Sequence, residues 1–223
     1  MNTLLNKIRG VCYNDANSII KQLSGIVDYF SSENEKNEFV YLHEGKTSLV
    51  CEDRVSYGDW QTPISLAEKI CDIHLSKYGS PDIVIEPTCG LGAFVLSALI
   101  KFQDIKEIHA IEINSQYTAE LKLKILLDAL NTRLQRHPDI YIYNANFFEF
   151  DFAPIIEKSK HMSWNVAVIG NPPWVTNSRQ GKNNSLNVPF KSNIYGLKGM
   201  QLQVKVTLIS ASLSLYNYYI YHI

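Results

Sequence analysis

The chain has 223 residues, 46% apolar and 11% aromatic, and a formal net charge of −1. That length fits one domain, or one domain with an added segment. The near-neutral balance excludes an overall basic footprint for nucleic acid, so any such contact must be local or come from parts absent here.

The cysteines are Cys12, Cys51, Cys71 and Cys89. They form no CxxC pair and have no His at ligand spacing. This points to reduced thiols, a cytoplasmic location and no metal site. No apolar stretch has the form of a signal peptide or the length of a membrane span. No internal repeat is visible.

Residues 1–30 carry apolar positions at helical spacing, including Leu4, Leu5, Ile8, Ile19, Ile20, Leu23 and Val27. Two helices are expected there. Ser31 to Asn37 is polar and reads as a loop or linker. Phe39–Leu42 and Ser48–Cys51 flank a turn-like segment and suggest a short hairpin. Residues 1–55 therefore read as an N-terminal helical and hairpin appendage without visible chemistry.

Gly58-Asp59-Trp60-Gln61-Thr62-Pro63 precedes the next helix. Thr62 suits an N-cap and Pro63 the first helical position. Ile64, Ala67, Ile70, Cys71 and His74 make the apolar stripe, and Gly79-Ser80-Pro81 stops it. His74 reads as a packed histidine.

Ile83-Val84-Ile85 is a short buried strand running into Glu86-Pro87-Thr88-Cys89-Gly90-Leu91-Gly92-Ala93-Phe94. An apolar helix follows, so the unit is strand, glycine turn, helix. Gly90 and Gly92 would let the backbone approach a ligand. An acid at the strand end, Glu86, would repel a pyrophosphate and better suits a ligand carrying positive charge. The second strand, Ile108–Ile113, ends in Glu112. That acid lies about 20 residues beyond the glycines, where Rossmann-like sites hold a ribose diol.

A helix over 115–134 follows, then a third strand, Asp139–Tyr143. Asn146 at its end could hydrogen-bond a ring such as adenine. Phe147 could stack on that ring or pack in the core. After a short helical stretch at Ile155–Lys158, Trp164–Ile169 makes the fourth strand. Strands alternating with helices imply an α/β fold with a parallel sheet and helices on both faces. Glu86, Glu112, Asn146 and Asn171 would then line one edge.

Asn171-Pro172-Pro173-Trp174 forces a turn at the end of the fourth strand, since two prolines cannot continue it. A carboxamide and a neighbouring carbonyl can together accept both hydrogens of a planar NH2 group, and an indole can stack on the ring that bears it. A structural Pro-Pro turn with a packed Trp is the alternative.

These segments in this order resemble the adenine-specific (N6) DNA methyltransferases of restriction-modification systems. The match runs from Gly58 to about Met200. Gly58–Pro63 is similar to the motif before the first strand, EPTCGLGAF to the S-adenosylmethionine motif, AIEIN to the ribose motif and NPPW to the catalytic motif. One departure is Asn146, where the family commonly has Asp.

The resemblance implies a Rossmann-like methyltransferase fold over 56–200. It implies S-adenosylmethionine held by Gly58, Thr62, Pro63, Glu86, Pro87, Thr88, Cys89, Gly90, Gly92, Phe94, Glu112, Ile113, Asn146 and Phe147. It implies catalysis at Asn171, Pro172, Pro173 and Trp174, with double-stranded DNA as partner and a cognate restriction endonuclease alongside. Arg179, Lys182 and Lys191 in the following loop would meet DNA phosphates.

Such a sheet needs further strands beyond the fourth. Gln201–Ile223 changes composition, with one Lys and no acid. A neighbouring reading frame of one possible coding of Leu202–Ala211 yields a string similar to the family's segment after the catalytic loop. The tail 201–223 is therefore expected to be non-native, the product of a frameshift near Met200. The chain is expected to be a truncated form with little or no methylation, in which weak cofactor binding survives. The alternatives are a protein glutamine N-methyltransferase, a nucleotide-dependent oxidoreductase, and a catalytically silent cofactor-binding fragment.

Overall fold

The computed structural model of the chain describes residues 2–43, 61–132, 137–171 and the strand at 221–222. Three helices come first: α1 (Asn2–Arg9), α2 (Tyr13–Ser24) and α3 (Glu33–His43). The middle of the chain alternates α4 (Ile64–Tyr78), β1 (Ile83–Glu86), α5 (Ala93–Lys101), β2 (Glu107–Glu112), α6 (Ser115–Thr132) and β3 (Asp139–Asn144). A 3-10 turn (Phe147–Glu149), α7 (Ala153–Met162) and β4 (Val166–Val168) follow, and Tyr221–His222 forms β5.

The sheet order is β3-β2-β1-β4-β5. The first four strands are parallel, and β5 pairs antiparallel with β4 through Ala167↔His222 and Val168↔Tyr221. The β3-β2-β1-β4 order is that of a Rossmann-like sheet, as expected. Successive strands step outward from β1 and then return to its other side at β4. The crevice at such a reversal, beyond the carboxyl ends of the strands, is where open α/β sheets hold ligands.

The central strands are short and largely buried, as a two-sided parallel sheet requires. All four residues of β1 are buried. On one face, Val84, Ile108, Ala110, Ile140 and Ala167 join a core with residues of α1, α2, α4, α5 and α6. On the other, Ile83, Ile85, Ile111 and Val166 pack with Ile155 of α7 and aromatics including Phe147, Phe150 and Phe152.

The N-terminal helices pack directly on this sheet. Residues 25–27 run along the outer side of β3, with Val27 N–H donating to Ile140 C=O and Ile140 N–H donating to Gly25 C=O, each at 2.9 Å. This covers a strand edge that would otherwise be open. Asn17 is buried and clamps Phe30, donating to its carbonyl at 2.9 Å and accepting from its N–H at 2.8 Å.

Three local expectations are corrected. Glu33 to Asn37 is helical, so the polar segment from Ser31 is largely the start of α3 rather than a linker. Ser32 Oγ accepts the Glu35 N–H at 3.2 Å, and Glu33 and Glu35 place acids in the first turn; both favour a helix start. Phe39–Leu42 continues that helix and is no hairpin strand, because Phe39 packs edge-on to Tyr29 and Phe30. The other half of the expected hairpin, Ser48–Cys51, lies outside the described residues. At α4 the cap falls one residue later than expected: Pro63 is the N-cap, with no side-chain cap bond, and Thr62 turns elsewhere.

Candidate functional site

The turn after β1 is held by its neighbours on both sides. Cys89 N–H donates to Ile111 C=O at 2.9 Å, and Gly92 N–H to Cys89 C=O at 2.7 Å. Gly90 N–H donates to Glu112 Oε2 at 2.8 Å, and Leu91 N–H to Gln61 Oε1 at 3.1 Å. Both glycines have positive φ, 53° at Gly90 and 82° at Gly92. A Cβ on Gly90 would lie 2.8 Å from Gln61 Oε1, and one on Gly92 would lie 2.2 Å from Leu121 Cδ1. The sequence suggested close approach to a ligand. The structure shows the glycines making room for protein side chains, which lets α6 and the segment before α4 close on the turn.

Glu86 is fully buried, and its Oε2 accepts the Val95 N–H at 3.0 Å. Burial pushes its carboxyl well above the usual carboxylate range, the Val95 hydrogen bond opposes this, and the charge of Glu112 adds to the rise. Burial likewise raises the Cys89 thiol, with Glu86 and Glu112 reinforcing it. Two carboxyl groups within Coulombic reach at one strand edge favour a cationic partner.

Glu112 ends β2. Its Oε1 accepts the Asn114 N–H at 2.8 Å, while its Oε2 holds Gly90. Asn144, at the end of β3, donates from Nδ2 to Glu112 C=O at 3.0 Å and to Ile113 C=O at 2.9 Å. Ile113 is half-buried beside Glu112. Asn146 caps the 3-10 turn, its Oδ1 accepting the Phe148 N–H at 3.1 Å. Phe147 is half-buried against Phe148 and Phe152.

Asn171 follows β4 and is the last described residue of its turn. Its Nδ2 donates to Thr62 Oγ1 at 3.2 Å, and its backbone C=O accepts from Thr88 Oγ1 at 3.2 Å. Gly170, just before it, sits against Pro87: an added Cβ would lie 3.2 Å from Pro87 Cδ. The ends of β1 and β4 and the entrance to α4 therefore meet.

Thr62, Glu86, Pro87, Thr88, Cys89, Gly90, Gly92, Glu112 and Asn171 thus form one connected edge, and Pro63 caps the adjoining helix. Asn146 and Phe147 lie beyond β3 at the same end of the sheet. The Phe94 side chain is buried in the core. Gly58, Pro172, Pro173 and Trp174 lie outside the described residues, as do the loop cations Arg179, Lys182 and Lys191 and the tail 201–220. Gln61, Leu121 and Asn144 were missed as site-forming residues. Gln61 stands inside the Gly58–Pro63 motif and Asn144 in the repeat Asn144-Ala145-Asn146; Leu121 carried no such signal. Among the described residues, no group of three or more His, Cys, Asp or Glu could hold a metal ion, and no helix is long and apolar enough to cross a membrane.

The chain is similar to the Type II methyltransferase M.NspV of Nostoc sp., at 40% identity over 147 residues. That match covers 66% of this chain and 28% of the relative, so the chain spans well under half of the relative's length. No protein-family model matches. Among solved structures, PH1948 of Pyrococcus horikoshii, described as an RNA methyltransferase, aligns at 15% identity and a TM-score of 0.35, over 58% of this chain and 69% of its own. A coclaurine N-methyltransferase bound to N-methylheliamine and SAH aligns at 14% identity and a TM-score of 0.33, over 75% and 61%. The fold assignment rests on the chain's own strand order.

Proposed function

We propose that this chain, a homologue of a Type II methyltransferase over 147 residues, is the cofactor-binding and catalytic portion of a site-specific DNA adenine methyltransferase. The observation that carries the reading is the contact of Asn171 with Thr62 and Thr88. It brings Asn171, the first residue of the Asn-Pro-Pro-Trp segment, against the glycine turn, so an amide that can read an amino group lies beside the cofactor edge.

The residues present fit S-adenosylmethionine. Glu112, with the buried Glu86 within Coulombic reach behind it, suits a ligand with positively charged ammonium and sulfonium groups. In this reading Glu112 accepts from the ribose hydroxyls and the segment around Asn146 holds the adenine ring. When bound, the cofactor supplies a methyl group already activated on sulfur, so the protein's task is alignment.

The target adenine leaves the duplex to reach the site. Asn171 Oδ1 and the Pro172 carbonyl accept its two amine hydrogens, which leaves the nitrogen lone pair available, and Trp174 stacks on the ring. Held in this way, the amine nitrogen would receive the methyl group that the cofactor supplies, and its surplus proton would pass to solvent. DNA is the partner, a restriction endonuclease acts on the same site, and the protein works in the cytoplasm.

The test is methyl transfer from tritiated S-adenosylmethionine to unmethylated duplex DNA, followed by nucleoside analysis. Label in N6-methyldeoxyadenosine, at a low level, is expected. Label in cytosine, or in glutamine of added protein, would refute the DNA adenine assignment. Bound cofactor with no label anywhere would favour a cofactor-binding fragment without transfer activity.

A further inference from the structure

We infer that Thr62 and Thr88 are positioning residues for Asn171. The inference rests on the methyltransferase reading and deepens it. Thr62 follows Gln61, whose side chain holds the Leu91 N–H of the glycine turn at 3.1 Å. Thr62 itself takes the Asn171 carboxamide nitrogen at 3.2 Å. Two adjacent residues before α4 therefore link the cofactor turn to Asn171. Thr88, inside the cofactor turn, donates to the Asn171 carbonyl at 3.2 Å and fixes the backbone from the opposite side.

Such a link serves the chemistry. A primary amide has one accepting end and one donating end. To receive an adenine amine, Asn171 must present oxygen; a flipped amide would set two NH2 groups against each other. With Thr62 Oγ1 accepting from Nδ2 at 3.2 Å, the amide is anchored at its nitrogen end and Oδ1 is left for the substrate amine. The α4 entrance thus contributes to reading the substrate amine, and Thr88 keeps the same turn in register with the cofactor loop.

The test compares Thr62→Val, nearly isosteric but without the hydroxyl, with Thr62→Ser, which retains it. In the 15N-labelled chain, the side-chain amide signals of Asn171 are assigned by their loss in Asn171→Ala. Thr62→Val is expected to shift those signals and Thr62→Ser to leave them near their original positions. In single-turnover methyl transfer at saturating cofactor, Thr62→Val is expected to slow transfer roughly tenfold or more, since small misplacements of aligned groups are costly. Its cofactor affinity should change by less than about threefold, and Thr62→Ser should recover most of the rate. Unmoved amide signals in Thr62→Val, or a loss confined to cofactor affinity, would overturn the inference. If the unsubstituted chain methylates no adenine, the proposed function fails, and the amide signals still decide whether Thr62 orients Asn171.

Discussion

Glu112 Oε2 accepts the Gly90 N–H at 2.8 Å across 22 residues of sequence, so the end of β2 holds the turn that leaves β1. The same carboxylate holds Asn114 at the entrance to α6. Glu112 is thus built into the loop frame before any ligand arrives, which is the kind of preorganisation that lowers the cost of binding.

Glu112→Ala is expected to weaken S-adenosylmethionine binding by roughly 1–3 kcal/mol, because charge-assisted hydrogen bonds are lost and the turn loosens. Glu112→Gln keeps acceptor oxygen and should lose less. Titration calorimetry measures both. An unchanged affinity in the Ala variant would place the ribose elsewhere.

Glu86 makes stability depend on pH. Its carboxyl titrates well above the reference value of 4.5 in the folded chain, chiefly through burial. The folded state therefore binds more protons than the unfolded state over that interval. Stability is fully present below the unfolded value and falls as pH rises through the folded one. Glu86→Gln keeps an oxygen for the Val95 N–H and removes the titration. Denaturant unfolding at about pH 5 and about pH 8 should show a smaller loss for Gln than for Glu. Equal losses would mean that Glu86 does not titrate in this range.

Cofactor binding should also release a proton, because a cation beside Glu86 favours its ionised form. Calorimetry in two buffers of different ionisation enthalpy reads this directly. A heat independent of the buffer would count against an electrostatic contact with Glu86.

Gly92→Ala is expected to destabilise the chain by about 1–3 kcal/mol, since φ is positive and an added Cβ meets the Leu121 side chain. Gly10 has open space around an added Cβ and no positive φ, so Gly10→Ala should stay within about 0.5 kcal/mol. Chemical denaturation of the two variants measures the contrast. Similar small effects would show that Leu121 moves aside at little cost.

The four parallel strands were legible because short apolar runs such as Ile83-Val84-Ile85 are bounded by glycine and proline turns. The candidate edge was legible for the same reason, since Glu86, Glu112 and Asn171 all stand at strand ends. Phe39–Leu42 was misread because four apolar residues have no period of their own, and only packing against Tyr29 and Phe30 decides for helix. The partners of the glycines were not legible either. Leu121 and Gln61 reach them from about thirty residues away, on elements whose approach is set by the assembled core. Asn146 illustrates a third limit: the oxygen that could read a ring also caps the turn at Phe148.

Equilibrium dialysis of the chain against radiolabelled S-adenosylmethionine tests most directly whether the strand-end edge is a cofactor site. Saturable binding of one molecule per chain is the predicted result, displaced by S-adenosylhomocysteine, weakened by Glu112→Ala and insensitive to a nicotinamide dinucleotide. Absence of saturable binding, or displacement by the dinucleotide at equal concentration, would contradict it.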